Sequence, residues 1–314
     1  MSAARENLMR GRMMRGRIYF CSALIASMMV SIEPSTASRL SSNNVGASSL
    51  EMFQQSWQTY KSVVNADLME HASLTKKISE VVHEWIDHTS NSDKPRTDLS
   101  VADLGCGDLA LLAPLYSSLP LAAFHGVDMS LPALKLAQQA FQLESEHGDF
   151  DSNTRAPSTK WMNQDLLHWA SGSEVEDGAD GNAVSLAESQ QKFDIIICAF
   201  SVHHLNDQDK LRFLQALKSN RLKENGMILM ADIFRIEEED RESYITRFGN
   251  HIEATWNSIS KPDQAAVLKH VRENDYPASL QDFILSMSPA CDLSCEVVWG
   301  DTGNFEKLVV LKAL

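Results

Sequence analysis

Cysteine is scarce in this sequence, with five residues among 314, at positions 21, 106, 198, 291 and 295. So few cysteines exclude a disulfide scaffold, and Cys291 and Cys295 have no second pair with which to form a zinc site. We therefore expect free thiols.

Long apolar runs are missing as well. The longest, residues 18–32, has 15 residues and includes three serines, whereas a membrane-spanning helix needs about 20 apolar residues. The composition, with 44% hydrophobic and 22% charged residues, is that of a globular protein. A multi-span membrane protein, a collagen-like fibre and a wholly disordered chain are therefore excluded.

Basic residues are few beyond the first 50 positions. The formal net charge is −14, and because residues 1–50 carry +4, residues 51–314 carry −18. The net negative charge of residues 51–314 repels phosphate backbones, which argues against nucleic acid as a partner. The same charge favours a cationic or amine substrate over an acidic one.

Residues 1–50 differ from the rest of the chain. Five arginines precede the apolar run, and Ser35-Thr36-Ala37 offers a cleavage site between small residues. We expect a targeting leader or a disordered extension. Three interpretations stay open: a signal peptide, an organellar transit peptide, and an extension upstream of a misplaced start codon.

Residues 51–314 are predicted to form one α/β domain. Apolar residues at three-to-four spacing predict helices over 51–66 and 67–89. Strands then alternate with helices, which predicts a parallel sheet; the strands are expected at 99–104, 122–127, 160–162, 193–200 and 226–234. The expected organisation is N-terminal helices over 51–90, a core over 95–235 and 291–314 that closes with a hairpin at 295–311, and a helical cap over 236–290. Residues 171–192 are expected to be a surface loop.

A glycine turn follows the first predicted strand. Gly105 and Gly107 allow a tight turn and a close approach of backbone to a ligand, at the expected start of a helix over 109–119. Asp128 ends the second predicted strand, where an acid commonly accepts hydrogen bonds from ribose hydroxyls. The two features together predict a nucleotide-type ligand at these strand ends.

Five segments give the chain a family resemblance: DLGCGD at 103–108, HGVDMS at 125–130, NQDL at 163–166, FDIIICAFSVHHL at 193–205 and ENGMILMADIF at 224–234. Their order resembles that of class I S-adenosylmethionine-dependent methyltransferases, over about residues 95–235 and the terminal hairpin. The resemblance implies a Rossmann-like seven-stranded, mostly parallel sheet with an antiparallel last strand, and the helical cap adds to it.

The resemblance also implies site residues for S-adenosylmethionine. Asp103 and the backbone of Gly105, Cys106 and Gly107 would hold its methionine end, and Asp128, with Met129 beside it, its ribose. Asp165 would accept a hydrogen bond from the adenine amino group, with Leu166 behind the ring. The pocket would be lined by Ala199, Phe200, Ser201 and, from an N-terminal helix, Tyr60.

Leu109 departs from the family pattern, which usually has a third glycine there. Glycine at that position aids close helix–strand packing. We expect the leucine to affect cofactor affinity more than the fold.

His203 and His204 follow the fourth predicted strand, at the edge of the sheet where ligands bind. One of them is expected to face the pocket, where it is a candidate general base. No metal is predicted, since the local sequence shows neither metal-ligand spacing nor a carboxylate partner.

The sequence thus predicts a methyltransferase acting on a small-molecule acceptor. The alternatives are a tRNA- or protein-modifying methyltransferase, a non-catalytic methyltransferase-like binding subunit, and an NAD-dependent dehydrogenase, whose glycine motif G-C-G-D-L-A would fit. Because the enzyme needs a pool of cofactor, we expect it in the cytoplasm or an organelle interior. The sequence gives no oligomeric state.

Overall fold

The computed structural model describes residues 57–90, 96–147, 156–172 and 191–314, all within the unit Val45–Leu314. The predicted leader, and the parts of the predicted loops that span 91–95 and 173–190, lie outside the described residues.

A mixed sheet is the centre of the fold. Seven strands follow the order β3-β2-β1-β4-β5-β8-β7, and the short β6 pairs with β5. Strands β1 to β5 are parallel, and β8 runs antiparallel between β5 and β7. The predicted sheet with its antiparallel last strand is therefore confirmed. The strands are β1 (Leu99–Leu104), β2 (Leu121–Asp128), β3 (Ser158–Asn163), β4 (Phe193–Ala199), β5 (Leu222–Arg235), β6 (Ala278–Ser279), β7 (Leu293–Gly300) and β8 (Glu306–Ala313).

Helices cover both faces of this sheet and its carboxyl edge. None of the helices in the described ranges is long and apolar enough to cross a membrane. They are α1 (Trp57–Asn65), α2 (His71–Thr89), α3 (Ala113–Ser117), α4 (Leu131–His147), α5 (Leu166–Ser171), α6 (Asp207–Ala216), α7 (Arg241–Thr255), α8 (Lys261–Asn274) and the single turn α9 (Leu280–Asp282).

The central strands are largely apolar because both of their faces are buried. Successive residues of a strand point to opposite faces, so Ile195 and Ile197 belong to one core cluster and Ile196 and Cys198 to another. Helices α2, α3 and α4 pack on the first face, and α5 and α6 on the second. A continuous apolar run in a parallel strand is the expected sequence of such a layer.

Side-chain caps fix where α4 and α6 begin. Ser130 Oγ accepts a hydrogen bond from Ala133 N (3.4 Å) at the start of α4, and Asn206 Oδ1 accepts one from Asp209 N (3.0 Å) at the start of α6. Both caps satisfy amide groups that have no partner within the helix.

The region predicted as a cap contains α7 and α8. Their apolar side chains form a third core cluster, which also includes Val63 of α1 and Phe305 of the terminal hairpin. Thr59 on α1 donates a hydrogen bond to Asp263 on α8 (2.8 Å). The N-terminal helix and the cap are therefore packed against each other.

One predicted helix is much shorter than expected. The sequence predicts a helix over 109–119, but α3 begins only at Ala113. Leu109 has φ 57°, a left-handed conformation that a right-handed helix cannot include. The glycine turn therefore leads into a further turn and not directly into the N-terminus of a helix.

Candidate functional site

The glycine turn at the end of β1 requires glycine at two positions for different reasons. Gly105 has φ 70°, and a Cβ added there would lie 2.4 Å from Ser201 Cβ. Gly107 has φ 55°, and a Cβ there would meet no atom within 4 Å. Gly105 thus lets the ends of β1 and β4 approach each other, while the backbone at Gly107 borders open space.

Leu109 occupies a left-handed conformation, with φ 57°, which glycine adopts more readily than leucine. A non-glycine residue pays about 1–2 kcal/mol for this conformation. The side chain is buried in the core cluster of α2, α3 and α4. Apolar burial therefore offsets the backbone strain.

Asp128 links the end of β2 to the glycine turn. Its Oδ2 accepts a hydrogen bond from Gly107 N (2.9 Å), and its Oδ1 accepts one from Ser130 N (2.7 Å). Burial raises the pKa of this carboxyl and the charge of Asp108 adds to the rise, although the two backbone hydrogen bonds oppose it. Each oxygen retains a lone pair for a hydroxyl donor.

Asp103 places a buried carboxylate beside the same turn. Its Oδ2 accepts a hydrogen bond from the Tyr116 hydroxyl (2.7 Å), while its Oδ1 has no hydrogen-bond partner in the described part of the chain. Burial raises the pKa of Asp103 to about 7; the Tyr116 hydrogen bond opposes the rise and the charge of Asp128 adds to it. The unpartnered oxygen is suited to a cationic donor.

Tyr60 brings α1 to this cluster. The residue is 36% exposed and its ring stacks on Trp57, with 5.3 Å between centroids. Burial around the hydroxyl raises the pKa of Tyr60, and the negative charges of Asp108 and Asp128 raise it further. Tyr60 is therefore close enough to Asp128 for the carboxylate charge to act on its hydroxyl group. Contact between Tyr60 and the cofactor stays a prediction.

Asp165 and Leu166 have structural roles at the start of α5. Asp165 is its N-cap, and Oδ1 accepts hydrogen bonds from Leu167 N (2.9 Å) and His168 N (3.0 Å). Leu166 is buried in the second core cluster. The adenine-binding role of the pair stays a prediction.

The other predicted pocket residues lie at the ends of β1, β2 and β4. Cys106 is buried, which raises the pKa of its thiol. Met129 is exposed, and its carbonyl accepts a hydrogen bond from Asn163 Nδ2 (2.8 Å). Ala199 is half-buried, as is Phe200, whose φ is 52°.

His203 lies between two carboxylates, and both are distant from it in the sequence. Its Nδ1 is 2.5 Å from Asp232 Oδ1, and its Nε2 is 3.7 Å from Asp275 Oδ1. Burial alone would lower the pKa of His203, but the two carboxylates raise it. A histidine that retains its proton in this way is a poor general base.

Asp232 holds the turn after β4 in place. Its Oδ2 accepts hydrogen bonds from Val202 N (2.8 Å) and His203 N (3.0 Å), and its Oδ1 accepts one from Ile233 N (2.8 Å). The sequence did contain a signal for this residue, because a charged side chain inside the apolar run of β5 needs a partner.

Asp275, at the end of α8, faces three imidazoles. Its Oδ1 lies 3.7 Å from His203 Nε2, 3.4 Å from His204 Nδ1 and 3.5 Å from His270 Nε2. Burial would raise the pKa of Asp275, but the three histidines together lower it. Burial lowers the pKa of His270 to about 4. No local sequence pattern marks this cluster, because it depends on how the cap packs.

Comparison with known proteins identifies a domain match and solved structures with a similar fold. Residues 102–228 match a protein-family model described as a methyltransferase domain. A comparison with curated proteins found no match.

Two solved structures are similar to the chain. One is magnesium protoporphyrin IX methyltransferase from Synechocystis PCC 6803 with bound SAH; it is 14% identical, with 86% of this chain and 100% of that chain covered and a TM-score of 0.53. The other is the plantazolicin methyltransferase BpumL in complex with a triazolic desmethylPZN analog and SAH; it is 16% identical, with 85% and 96% covered and a TM-score of 0.50. The Rossmann-like fold predicted from the sequence is confirmed by these similarities.

Proposed function

We propose that this chain, whose residues 102–228 form a class I methyltransferase domain, transfers a methyl group from S-adenosylmethionine to a small-molecule acceptor. One observation carries the proposal. The matched segment contains Asp103, the glycine turn, Asp128 and the end of β4, and the parallel strands bring all of them to one edge of the sheet. Ligands of open α/β sheets bind at that edge.

The residues at this edge fit the cofactor. Asp103 Oδ1 is an unpartnered acceptor for its ammonium group, and the backbone at Gly107 borders open space in which its carboxylate can bind. Asp128 is the acceptor for ribose hydroxyls, and Asp165 with Leu166 are the adenine candidates. When bound, S-adenosylmethionine supplies a methyl group that is already activated by the positive sulfur.

The protein's own contribution is to position the acceptor and to exclude water. Helix α1 and the cap, α7 and α8, pack together through Val63 and the Thr59–Asp263 hydrogen bond. We infer that helices packed in this way cover the acceptor site, and a covered site favours a small acceptor. The two solved neighbours act on small molecules as well.

The charge of the body bears on the acceptor's chemical class. With −18 on residues 51–314, the field favours a cationic or amine acceptor. An amine that reacts as its free base needs no general base, so His203 and His204 keep their catalytic role only as a prediction.

Titration calorimetry on the full chain with S-adenosylmethionine, S-adenosylhomocysteine and NAD tests the cofactor. We expect the two adenosyl ligands to bind with Kd near 1 μM, equivalent to about −8 kcal/mol. Asp128→Ala should weaken both at least about tenfold, since it removes the ribose acceptor and the Gly107 contact. The matched control is Asp98→Ala, whose side chain is 81% exposed. Binding of NAD without either adenosyl ligand would overturn the proposal.

Release of S-adenosylhomocysteine tests the reaction. The protein is incubated with S-adenosylmethionine and a panel of small amines, phenols and carboxylic acids, and with protein and tRNA fractions as contrasts. We expect product with a member of the small-molecule panel. Cofactor binding with no product from any acceptor would instead support a binding subunit, and product from tRNA or protein alone would support the macromolecule-modifying enzymes.

A further inference from the structure

Four side chains converge where the end of β4, β5 and the end of α8 meet. They are His203 and His204 on the turn after β4, and His270 and Asp275 on and just after α8. His203, His204 and Asp275 each offer one possible ligand atom, and these three atoms all lie within 4.8 Å of one another. His270 does not belong to that group, although its Nε2 is 3.5 Å from Asp275 Oδ1. The sequence suggested no carboxylate partner for the histidines, but the fold supplies one.

The distances in this cluster do not fit direct hydrogen bonds. Asp275 Oδ1 is 3.4 to 3.7 Å from the three ring nitrogens, whereas N–H···O bonds are about 2.7–3.2 Å long. Asp275 has 4% of its side chain exposed, and within the described residues its Oδ1 accepts no hydrogen bond. A buried carboxylate oxygen without a donor is costly unless something else binds it.

The same distances fit the edges of a metal tetrahedron. With metal–ligand bonds of about 2.0–2.1 Å, neighbouring ligands in a tetrahedral zinc site are about 3.3 Å apart. His203 Nε2 and His204 Nδ1 lie within a few tenths of an ångström of that spacing from Asp275 Oδ1. Imidazole nitrogens and one carboxylate are ligands that Zn²⁺ takes readily.

Asp232 supplies what a metal-binding histidine usually has behind it. Its carboxylate contacts His203 Nδ1 and so directs Nε2 toward Asp275. A histidine whose far nitrogen is held by a carboxylate is fixed in tautomer and in ring orientation, which strengthens it as a ligand. Three backbone N–H groups hold Asp232 itself.

We propose that His203, His204 and Asp275 provide three ligands of a tetrahedral site for a divalent transition metal, with Zn²⁺ as the ion that these ligands favour and a water molecule in the fourth position. Two ligands come from the turn after β4 and one from the residue that follows α8. The bound ion therefore cross-links the cap to the turn after β4. The site does not rest on the methyltransferase proposal.

Metal binding is tested on the full chain, purified without a histidine tag and stripped with a chelator. Titration with Co²⁺ should give one equivalent with the intense visible spectrum of a tetrahedral site, and without a sulfur-to-cobalt charge-transfer band, because no cysteine belongs to the set. Titration of this complex with Zn²⁺ should remove the spectrum. Zn²⁺ should also raise the Tm of the stripped protein.

The variants separate the proposed ligands from other residues of the same types. Asp275→Asn and His204→Ala should each weaken Co²⁺ binding by about tenfold to a hundredfold or more. The exposed residues His88 and Asp282 give the controls His88→Ala and Asp282→Asn, which should bind as the wild type does. Far-UV circular dichroism checks that each variant folds.

Two results would overturn the proposal. One is a folded wild-type protein that binds neither ion at micromolar concentration. The other is binding by His204→Ala and Asp275→Asn that equals wild-type binding. The first result needs no variant, so misfolding of a variant cannot obscure the answer. Either result leaves the cofactor calorimetry unaffected.

Discussion

Asp128 accepts a hydrogen bond from the backbone N–H of Gly107 across 2.9 Å, so the end of β2 and the glycine turn after β1 form one connected unit. The same carboxylate also binds the N–H of Ser130. Asp128 is thereby oriented before any ligand arrives. A preoriented acceptor loses less conformational entropy when a ribose binds.

The two glycines of the turn should respond differently to alanine. Gly105→Ala combines a left-handed φ with a Cβ placed 2.4 Å from Ser201 Cβ, so we expect a loss of about 3 kcal/mol or more in unfolding free energy. Gly107→Ala has the φ penalty alone and should lose about 1 kcal/mol, but its methyl group enters the proposed cofactor space. Urea unfolding and cofactor titration measure the two effects. Equal loss of stability in both variants would contradict the close approach at Ser201.

At position 109, glycine should give a more stable variant than alanine, which is the reverse of the usual order. Leu109→Ala loses a buried side chain, at about 2–5 kcal/mol, and keeps the left-handed strain. Leu109→Gly loses the same side chain but relieves about 1–2 kcal/mol of strain. We therefore expect the glycine variant to be more stable than the alanine variant in urea unfolding. Leu112, also buried but one turn further on, is the control site, where alanine should be the better tolerated of the two. A less stable Leu109→Gly variant would rule out the left-handed φ in solution.

The pKa of about 7 at Asp103 predicts pH-dependent cofactor binding. Below pH 7 the carboxyl is mostly neutral, and above it the carboxylate attracts the ammonium group of S-adenosylmethionine. Affinity should therefore increase from pH 6 to pH 8, by up to about tenfold per pH unit below the pKa. Tyr116→Phe removes the hydrogen bond that opposes the raised pKa, so the midpoint should move to higher pH. Affinity that is flat from pH 6 to 8 in calorimetry would remove Asp103 from the site.

Glu306 should make the protein less stable as pH rises. Burial raises its pKa to about 10, and a hydrogen bond to Asp301 and the charge of Asp301 contribute. The unfolded value is about 4.3. The contribution to stability is therefore fully present below about pH 4 and decreases as pH rises toward 10. Glu306→Gln keeps the shape and a donor for Asp301 but has no charge to bury.

Urea unfolding of wild type and Glu306→Gln at pH 5 and pH 8.5 measures this effect. At pH 8.5 the free energy of unfolding of the variant should exceed that of wild type by on the order of 1–3 kcal/mol, and at pH 5 by much less. The exposed Glu296 provides the control Glu296→Gln, which should track wild type at both values. If the difference in unfolding free energy between Glu306→Gln and wild type were the same at both pH values, the pKa of Glu306 would not change on unfolding.

The bounds of a strand could be predicted from the sequence where its residue pattern allows only one interpretation. The strand over 99–104 was predicted with the bounds that the structure gives, because it is a short, mostly apolar segment next to a glycine turn. Strand β5 begins four residues earlier than predicted, at Leu222, which pairs with Phe193 across an irregularity in register. Polar residues there hid the start of the strand from an apolar pattern.

The parts that the sequence could not predict depend on contacts between distant elements. Nothing local marks Leu109 as left-handed, because leucine is a good helix former. Nothing local connects Asp275 with His203 either, since 72 positions separate them. Asp232 is intermediate: its charge within an apolar strand signals a buried partner, but the identity of the partner comes only from the fold.

The turn after β4 has a mechanical consequence for the whole molecule. Ser201 lies against Gly105 and donates a hydrogen bond to Leu104 O (3.0 Å), while the carbonyl of His203 accepts one from Tyr276 N (2.7 Å) beyond α8. One short stretch of backbone therefore joins the glycine turn at one end and the helical cap at the other. A displacement of the cap would therefore be transmitted through this stretch of backbone to the glycine turn.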